Sequence, residues 1–234
     1  MPNLYKVAGL TLQMDTFGRT AAQAEPYRIE ADETAAPDII ITSDWQALKA
    51  SQPHLSQGDC EYLSTGGSFY RQLLRFDGML LHASAVLMDG RAYLFSAPSG
   101  TGKSTHTRLW QQVFGKDRAL ILNDDKPALR YEDGLWYAYG TPWSGKHDIS
   151  INTRVPLAGI AMIERSAANT IEPFGGRQAI FALMEQTVRP RDAASRMQLL
   201  ALLDRLLTEI PVWKLQCNME PEAALIAHRT MSQR

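Results

Sequence analysis

The sequence predicts a mixed α/β protein with hairpin-rich sheets and flanking helices. Three observations carry this. Two apolar runs, Met79–Leu87 and Ala92–Ser96, flank Asp89 and Gly90, the dipeptide of a tight hairpin. A glycine-rich segment, Ser96–Ser104, follows the second run and opens into an amphipathic stretch. Apolar runs and helical periodicities then interleave without a clean βαβ alternation.

The elements follow in order. Val7–Met14 and the β-branched run Asp38–Thr42 read as strands. Between them, Thr20–Pro37 is rich in Ala, Glu and Pro and reads as a loop. Trp45–Asp59 holds a short helix and a turn. Tyr62–Phe76 is helical, with Phe69, Leu73 and Phe76 in register and Gly66 and Gly67 weakening its first turn. After the hairpin and the glycine-rich segment, Ser104–Phe114 is a helix and Ala119–Leu122 a buried strand. Leu129–Tyr139 is a second hairpin, turning at Asp133 and Gly134, and Gly140–His147 is a loop. Leu157–Ile163 is a strand, and Arg177–Val188 and Asp192–Ile210 are helices. The second places Met197, Leu200, Leu203, Leu207 and Ile210 on one apolar face, read as core. Val212–Leu215 closes the sheet and Pro221–Met231 is the last helix.

A chain of 234 residues, 45% of them hydrophobic, supports one core. The expectation is a small β-rich region at 1–75 packed on a unit spanning 76–234. With 24 Lys and Arg against 25 Asp and Glu, the net charge of -1 gives no reason to expect nucleic acid as partner. No run approaches the roughly 20 apolar residues of a membrane span, and the first residues lack a signal-type apolar run. Two distant cysteines, Cys60 and Cys217, form neither a disulfide framework nor a zinc spacing. A cytoplasmic, soluble protein is expected.

Ala97-Pro98-Ser99-Gly100-Thr101-Gly102-Lys103-Ser104 matches the Walker A phosphate-binding pattern except that Ala97 replaces the first glycine. Gly100 and Gly102 let successive N–H groups turn into one concavity, and the following helix adds its positive end. Lys103 reaches β- and γ-phosphates, the Ser104 hydroxyl suits Mg²⁺, and Thr105 continues the binding segment. The alternative is a glycine-rich turn without function. Downstream, Leu120–Asn123 ends in Asp124 and Asp125. Beside a phosphate loop, one such acid can order a metal and the other take a proton from an attacking hydroxyl. The alternative is a solvated Asp-Asp-Lys-Pro turn.

These residues resemble a family. His82 stands 21 positions before the loop lysine (82 to 103), then come the hairpin, the loop and the acidic pair. Together they are similar to the catalytic domain of HPr kinase/phosphorylase and, more widely, to phosphoenolpyruvate carboxykinase-like P-loop proteins. The segment Val155–Glu164 is similar to a later strand of that family. The resemblance spans about Leu80 to Glu164 and is nearest to the compact, HPr-kinase-like serine kinases. It implies ATP and Mg²⁺, one Asp of the acidic pair as the base that activates the acceptor, and His82 nearby; Asp124 as base with Asp125 beside Ser104 on the metal is one order of the two roles, and the reverse order stays open. It implies a peptide or protein serine as acceptor and allows a homo-oligomer. Three departures accompany it: Ala97, a longer stretch between Lys103 and Asp124, and no arginine-rich Pro-Gly-Arg-Asn segment, with Arg154 only near that place. Rivals are a kinase of a small alcohol or amino acid, a nucleotide-binding regulator without turnover, and carboxykinase chemistry.

The loop around Pro142-Trp143-Ser144-Gly145-Lys146-His147 is the candidate acceptor wall, with Trp143 offering apolar contact and Lys146 steadying phosphate; an anchoring surface loop is the alternative. His106 reads as structural, and Arg189 and Arg191 as a solvated basic turn.

Overall fold

The structure, a computed structural model, describes residues 3–30 and 36–233. It is a mixed α/β fold built on a curled mixed sheet with helices against it. The chain opens with β1 (Leu4–Val7) and β2 (Leu10–Gln13), which form a hairpin turning at Ala8 and Gly9, both at positive φ. The single strand expected over Val7–Met14 is thus divided: Val7 ends the first arm, Ala8 and Gly9 turn, and Leu10–Gln13 is the second arm. Helix α1 (Gly18–Ala24) and β3 (Arg28–Ile29) occupy part of the expected 20–37 loop, of which residues 31–35 lie outside the described residues. Burial of Thr20, Gln23 and Ala24 fixes α1 where propensity alone is weak. With β4 (Ile39–Ile40) these strands make a small sheet in the order β3-β1-β2-β4.

Helix α2 (Trp45–Ser51) precedes α3 (Gln57–Leu73), which starts before the expected Tyr62 because Ser56 caps it, accepting from the Asp59 amide at 3.0 Å. Gly66 sits inside α3 for a packing reason: a Cβ there would lie 2.9 Å from the Trp143 ring.

The larger sheet begins with β5 (Gly78–Leu80), β6 (Ala83–Met88) and β7 (Arg91–Ser96). The run expected as one strand from Met79 breaks at Leu81 and His82. Their amides bond elsewhere, His82 to the Gln186 carbonyl at 2.7 Å and Leu81 to that of Pro127. Then come α4 (Lys103–Phe114), β8 (Leu120–Asn123), β9 (Ala128–Glu132) and β10 (Leu135–Tyr139). The 12-residue strand β11 (Arg154–Arg165) is longer than the expected Leu157–Ile163. It joins the two halves of the sheet, pairing with β10 at its start and with β7 beyond. β12 (Thr170–Pro173), α5 (Gly176–Glu185), α6 (Ala193–Glu209), β13 (Val212–Cys217) and α7 (Pro221–Met231) complete the chain. The path runs β5-β9-β10-β11-β7-β6-β8, with β13 beside β11 and β12 beside β13. From their pairings β8, β7, β11 and β13 share one direction and β6 opposes it. Their C-terminal ends therefore lie along one edge.

Three apolar clusters hold this together. Helices α5 and α6 cover one face of the sheet through Leu183, Leu199, Leu202, Leu203 and Leu206. Of the expected α6 face, Leu203 is buried and Leu207 and Ile210 pack against the same cluster, while Met197, 66% exposed, and Leu200, 39% exposed, are corrected to surface positions. The face that packs is rotated, led by Leu199 and Leu202, because the helix lies over the sheet rather than along a narrow seam. Helices α4 and α7 cover the other face through Leu109, Trp110, Ala223 and Ala227. The third cluster joins Tyr5, Leu12 and Tyr27 to Phe69, Tyr139 and Trp143. Among the described residues no helix is long and apolar enough to cross a membrane.

Candidate functional site

The loop between β7 and α4 takes its shape from two glycines. Gly100 has φ 79 and Gly102 φ 123, and at neither would a Cβ meet another atom, so backbone conformation rather than space calls for glycine. Ala97 is buried in the cluster under α4, where its methyl packs. Gly102 caps α4 without a side chain, which leaves the first-turn amides for a ligand. Arg165, at the end of β11, donates from Nε to the Thr101 carbonyl at 3.0 Å and from a terminal nitrogen to that of Gly100. Lys103 is buried, and its ammonium donates to the carbonyls of Ala97 at 2.8 Å and Pro98 at 3.3 Å. Burial lowers its pKa, while Asp125 and Asp124 pull it up.

The acidic pair sits on the same sheet edge, at the end of β8. Asn123 sets the turn: its Oδ1 accepts from the amides of Asp125 at 3.0 Å and Lys126 at 2.7 Å, and its Nδ2 donates to the Thr141 carbonyl at 3.0 Å. The buried Asp124 accepts from the Ser84 hydroxyl at 2.6 Å and lies 2.9 Å from His147 Nδ1. Ser84 is in turn 2.9 Å from the Thr107 hydroxyl on α4. Asp125 faces the cleft more openly. Its Oδ1 is 3.3 Å from His82 Nε2, and its Oδ2 accepts from Lys126 at 2.5 Å and Tyr62 at 3.0 Å. Burial would raise its pKa, but the His82 bond and the Lys126 charge outweigh that and hold the carboxyl well below its ordinary range.

Loop and acids face each other across a cleft of about 650 Å³. Of the residues expected from sequence, Ser99, Gly100, Gly102, Lys103, Ser104, Thr105, His82, Asp124, Asp125 and Lys146 line it. Pro98 contributes a carbonyl to Lys103, and Thr101 turns to the opposite side of the loop. Two expectations are corrected. Trp143 is fully buried, stacked on Phe69 with ring centroids 4.9 Å apart, and its indole N–H donates to Thr65 at 3.1 Å. It anchors its loop from below and offers no wall to a ligand. Arg154 lies outside the cleft: it donates to Glu132 at 2.7 Å and packs over the Tyr137 ring.

The structure adds residues with no motif to flag them. The Tyr62 hydroxyl donates to Asp125 and accepts from the Gly145 amide at 2.9 Å, tying α3 to the acidic pair; burial, then the Asp125 charge, keeps the phenol protonated. Ser84 and Lys126 fix one carboxylate each, and Arg19 and Arg108 add positive charge to the walls. Tyr62 and Asp125 are 63 positions apart, so only the fold brings them together.

The site is thus that of a mixed α/β protein carrying a glycine-rich loop at a helix start, with two carboxylates on the adjoining sheet edge. A family model, "SynChlorMet cassette protein ScmC", matches residues 63–222, and the chain belongs to that family. No curated protein matches it. Among solved structures it is similar to the Hpr(Ser) kinase/phosphatase from Coxiella burnetii, at 11% identity, over 66% of this chain and 99% of that one, with a TM-score of 0.38.

Proposed function

We propose that this protein is an ATP-dependent phosphotransferase of the phosphoenolpyruvate carboxykinase-like P-loop type, moving the γ-phosphoryl group to a hydroxyl, with a serine of a peptide or protein as acceptor. One observation carries the reading: Lys103 and Ser104 share a cleft with Asp124 and Asp125, and His82 and Lys126 fix the second acid. The positive charges of Arg19, Lys103, Arg108 and Lys146 suit a polyphosphate.

The donor set also fits Mg²⁺. Among the described residues no cluster of three or more His, Cys, Asp or Glu side chains could hold a metal. Mg²⁺ typically takes one or two carboxylates and completes its shell with water and phosphate oxygens. A hydroxyl at Ser104 beside two carboxylates matches that demand, and the ion supplies charge neutralisation at the phosphates when bound.

The geometry favours the reverse order of roles for the two acids. Asp124 is tied through Ser84 and Thr107 to α4, whose first turn carries Ser104, which suits a metal ligand. Asp125 is the more accessible and is aimed by His82, which suits the group that receives the acceptor proton. Lys103 would hold the transferring phosphoryl group, exchanging its carbonyl partners for phosphate oxygens. The acceptor identity rests on the resemblance of the motifs to HPr-kinase-like serine kinases and on the open cleft.

The test pairs binding with transfer. Lys103→Met should weaken ATP·Mg²⁺ binding in calorimetry by about 2 kcal/mol with the fold retained. Asp125→Asn should bind ATP and lose transfer to a serine peptide, and Asp124→Asn should raise the Mg²⁺ requirement. Unchanged binding in Lys103→Met would end the phosphate-loop reading. Transfer to small alcohols only, with peptides untouched, would move the acceptor to that class.

A further inference from the structure

His147 lines the cleft from the loop after β10, half-exposed, beside the buried Asp124. Its backbone is pinned on both sides. The Gly145 amide donates to the Tyr62 hydroxyl at 2.9 Å, and the Gly145 carbonyl accepts from Gln23 Nε2 at 2.9 Å. Two residues past His147, the Ile149 carbonyl accepts from the Asp124 amide at 3.1 Å. Between these anchors the Ser144 hydroxyl donates to Asp148 Oδ1 at 3.1 Å. The loop therefore holds His147 against the acidic pair before any ligand binds.

His82 and His147 both line the cleft, and their rings are used differently. Both nitrogens of His82 are engaged, by Gln186 and Asp125. His147 has one partner, with Nδ1 2.9 Å from Asp124 Oδ2. A carboxylate only accepts, so Nδ1 carries the proton and Nε2 holds a lone pair. Among the described residues nothing bonds to Nε2. This is the arrangement of an activated nucleophile: one ring nitrogen is free, and the other donates to a buried acid that fixes the tautomer. Asp124 is itself oriented by the Ser84 hydroxyl at 2.6 Å, and its remaining lone pairs still serve a metal. Lys103, Arg108 and Lys146 line the same cleft and balance the charge of a phosphoryl group beside the ring.

We infer that His147 is the first acceptor of the γ-phosphoryl group and passes it, as a phosphohistidine, to the final hydroxyl. This rests on the phosphotransferase reading of the cleft and adds a second displacement to it. In the first step the Nε2 lone pair attacks the γ-phosphorus and an N–P bond forms. The bond from that phosphorus to the β,γ-bridging oxygen breaks, and ADP leaves with the electron pair. The ring is then a phosphorylated imidazolium whose Nδ1–H stays on Asp124, and the carboxylate offsets its positive charge. In the second step the acceptor oxygen attacks the same phosphorus and its proton passes to Asp125. The N–P bond breaks, its electron pair returns to Nε2, and Asp125 releases the proton to water. The sum is ATP plus a hydroxyl giving ADP, a phosphate ester and a proton, with no further reactant. Nucleotide and acceptor can then use the cleft in turn.

The experiment incubates wild type, Asp125→Asn and His147→Gln with Mg²⁺ and ATP radiolabelled in its γ-phosphate, without acceptor, and maps the label by mass spectrometry. Wild type and Asp125→Asn should carry acid-labile, alkali-stable label on His147 in near-stoichiometric amount. Asp125→Asn should keep that label when a serine peptide is added, whereas wild type should pass it on. His147 is half-exposed, so His147→Gln leaves the core intact. It should bind ATP·Mg²⁺ like wild type in calorimetry and lose labelling and peptide transfer by about 100-fold or more. Wild-type transfer from ATP made chiral at the γ-phosphorus should retain configuration, as two displacements require. Inversion, or wild-type transfer rates in His147→Gln, overturns the relay and leaves direct transfer to the hydroxyl standing. Failure of the wild type to bind ATP·Mg²⁺ overturns the phosphotransferase reading and the relay with it.

Discussion

Nε2 of His82 lies 3.3 Å from Oδ1 of Asp125, and the strand break that puts it there is built from backbone bonds. The His82 amide reaches the Gln186 carbonyl, and the next amide, of Ala83, reaches the carbonyl of Asp125 itself. Gln186 Oε1 is also 3.1 Å from His82 Nδ1, so both ring nitrogens are engaged. The imidazole is therefore fixed before any ligand arrives.

The Asp125 carboxyl should mark the acid limb of stability. Its folded pKa is depressed, so the contribution is complete above the ordinary carboxylate value of about 3.9 and is lost as pH falls through the lower native value. Urea unfolding of wild type and Asp125→Asn should give a gap on the order of 1–3 kcal/mol, constant from about pH 5 to 7. Below about pH 4 the gap should shrink. A gap that does not change with pH would show that the ionised form gains nothing from its partners.

Tyr62→Phe removes one hydroxyl that serves Asp125 and the Gly145 amide together. The expected cost is about 1–2 kcal/mol of stability. In a transfer assay kcat should fall about tenfold, roughly 1.4 kcal/mol, with KM for ATP little changed. A fall in stability alone would make the tyrosine a fastener and no more.

Trp143 and Gly66 should behave as one packing unit. Trp143→Ala is expected to cost about 3–5 kcal/mol through the cavity it leaves. Gly66→Ala should cost about 1–3 kcal/mol by pushing a methyl into the indole. Thermal unfolding of both singles and the double mutant measures the coupling, and strict additivity would contradict the contact.

Glu61 is buried beside Tyr62, with neither carboxylate oxygen at hydrogen-bond geometry. Burial raises its pKa, and Thr20, the Phe17 backbone and Arg19 offset only part. A carboxyl with a raised folded pKa makes stability fall as pH rises through the interval between its unfolded and folded values. Glu61→Gln should remove that fall and stabilise the protein at pH 7 by about 1 kcal/mol. Parallel wild-type and mutant curves of stability against pH would refute the assignment.

Much of this arrangement was legible in the chain because it is local. The Ser99–Ser104 loop, the helix behind it and the strand ending in Asp124 and Asp125 each announce themselves within a dozen residues. What was not legible is long-range. Trp143 reads as a surface anchor or a binding wall until α3 is seen to place Gly66 beneath it. In the α6 stripe Met197 and Leu200 were misread because helical spacing alone allows two overlapping faces, and the sheet selects the one with Leu199 and Leu202. Helix α1 lacks a strong apolar period and is fixed by contacts with α3. Neither Tyr62 nor Ser84 lies in a motif, and each becomes meaningful only through a partner about 40 to 60 positions away.

The family match begins at residue 63, one position after Tyr62, in the middle of α3. Arg19, Leu55, Asp59 and Tyr62 all line the cleft from before that point. The apolar cluster containing Tyr5, Leu12 and Tyr27 closes on Tyr139 and Trp143 from after it. The length of chain that carries the likeness is therefore shorter than the length that makes the vessel. A fragment cut at the start of the match would keep the loop and both acids. It would lose one rim of the cleft, strip the apolar cluster of Tyr5, Leu12 and Tyr27, and leave Asp125 without the phenol that orients it.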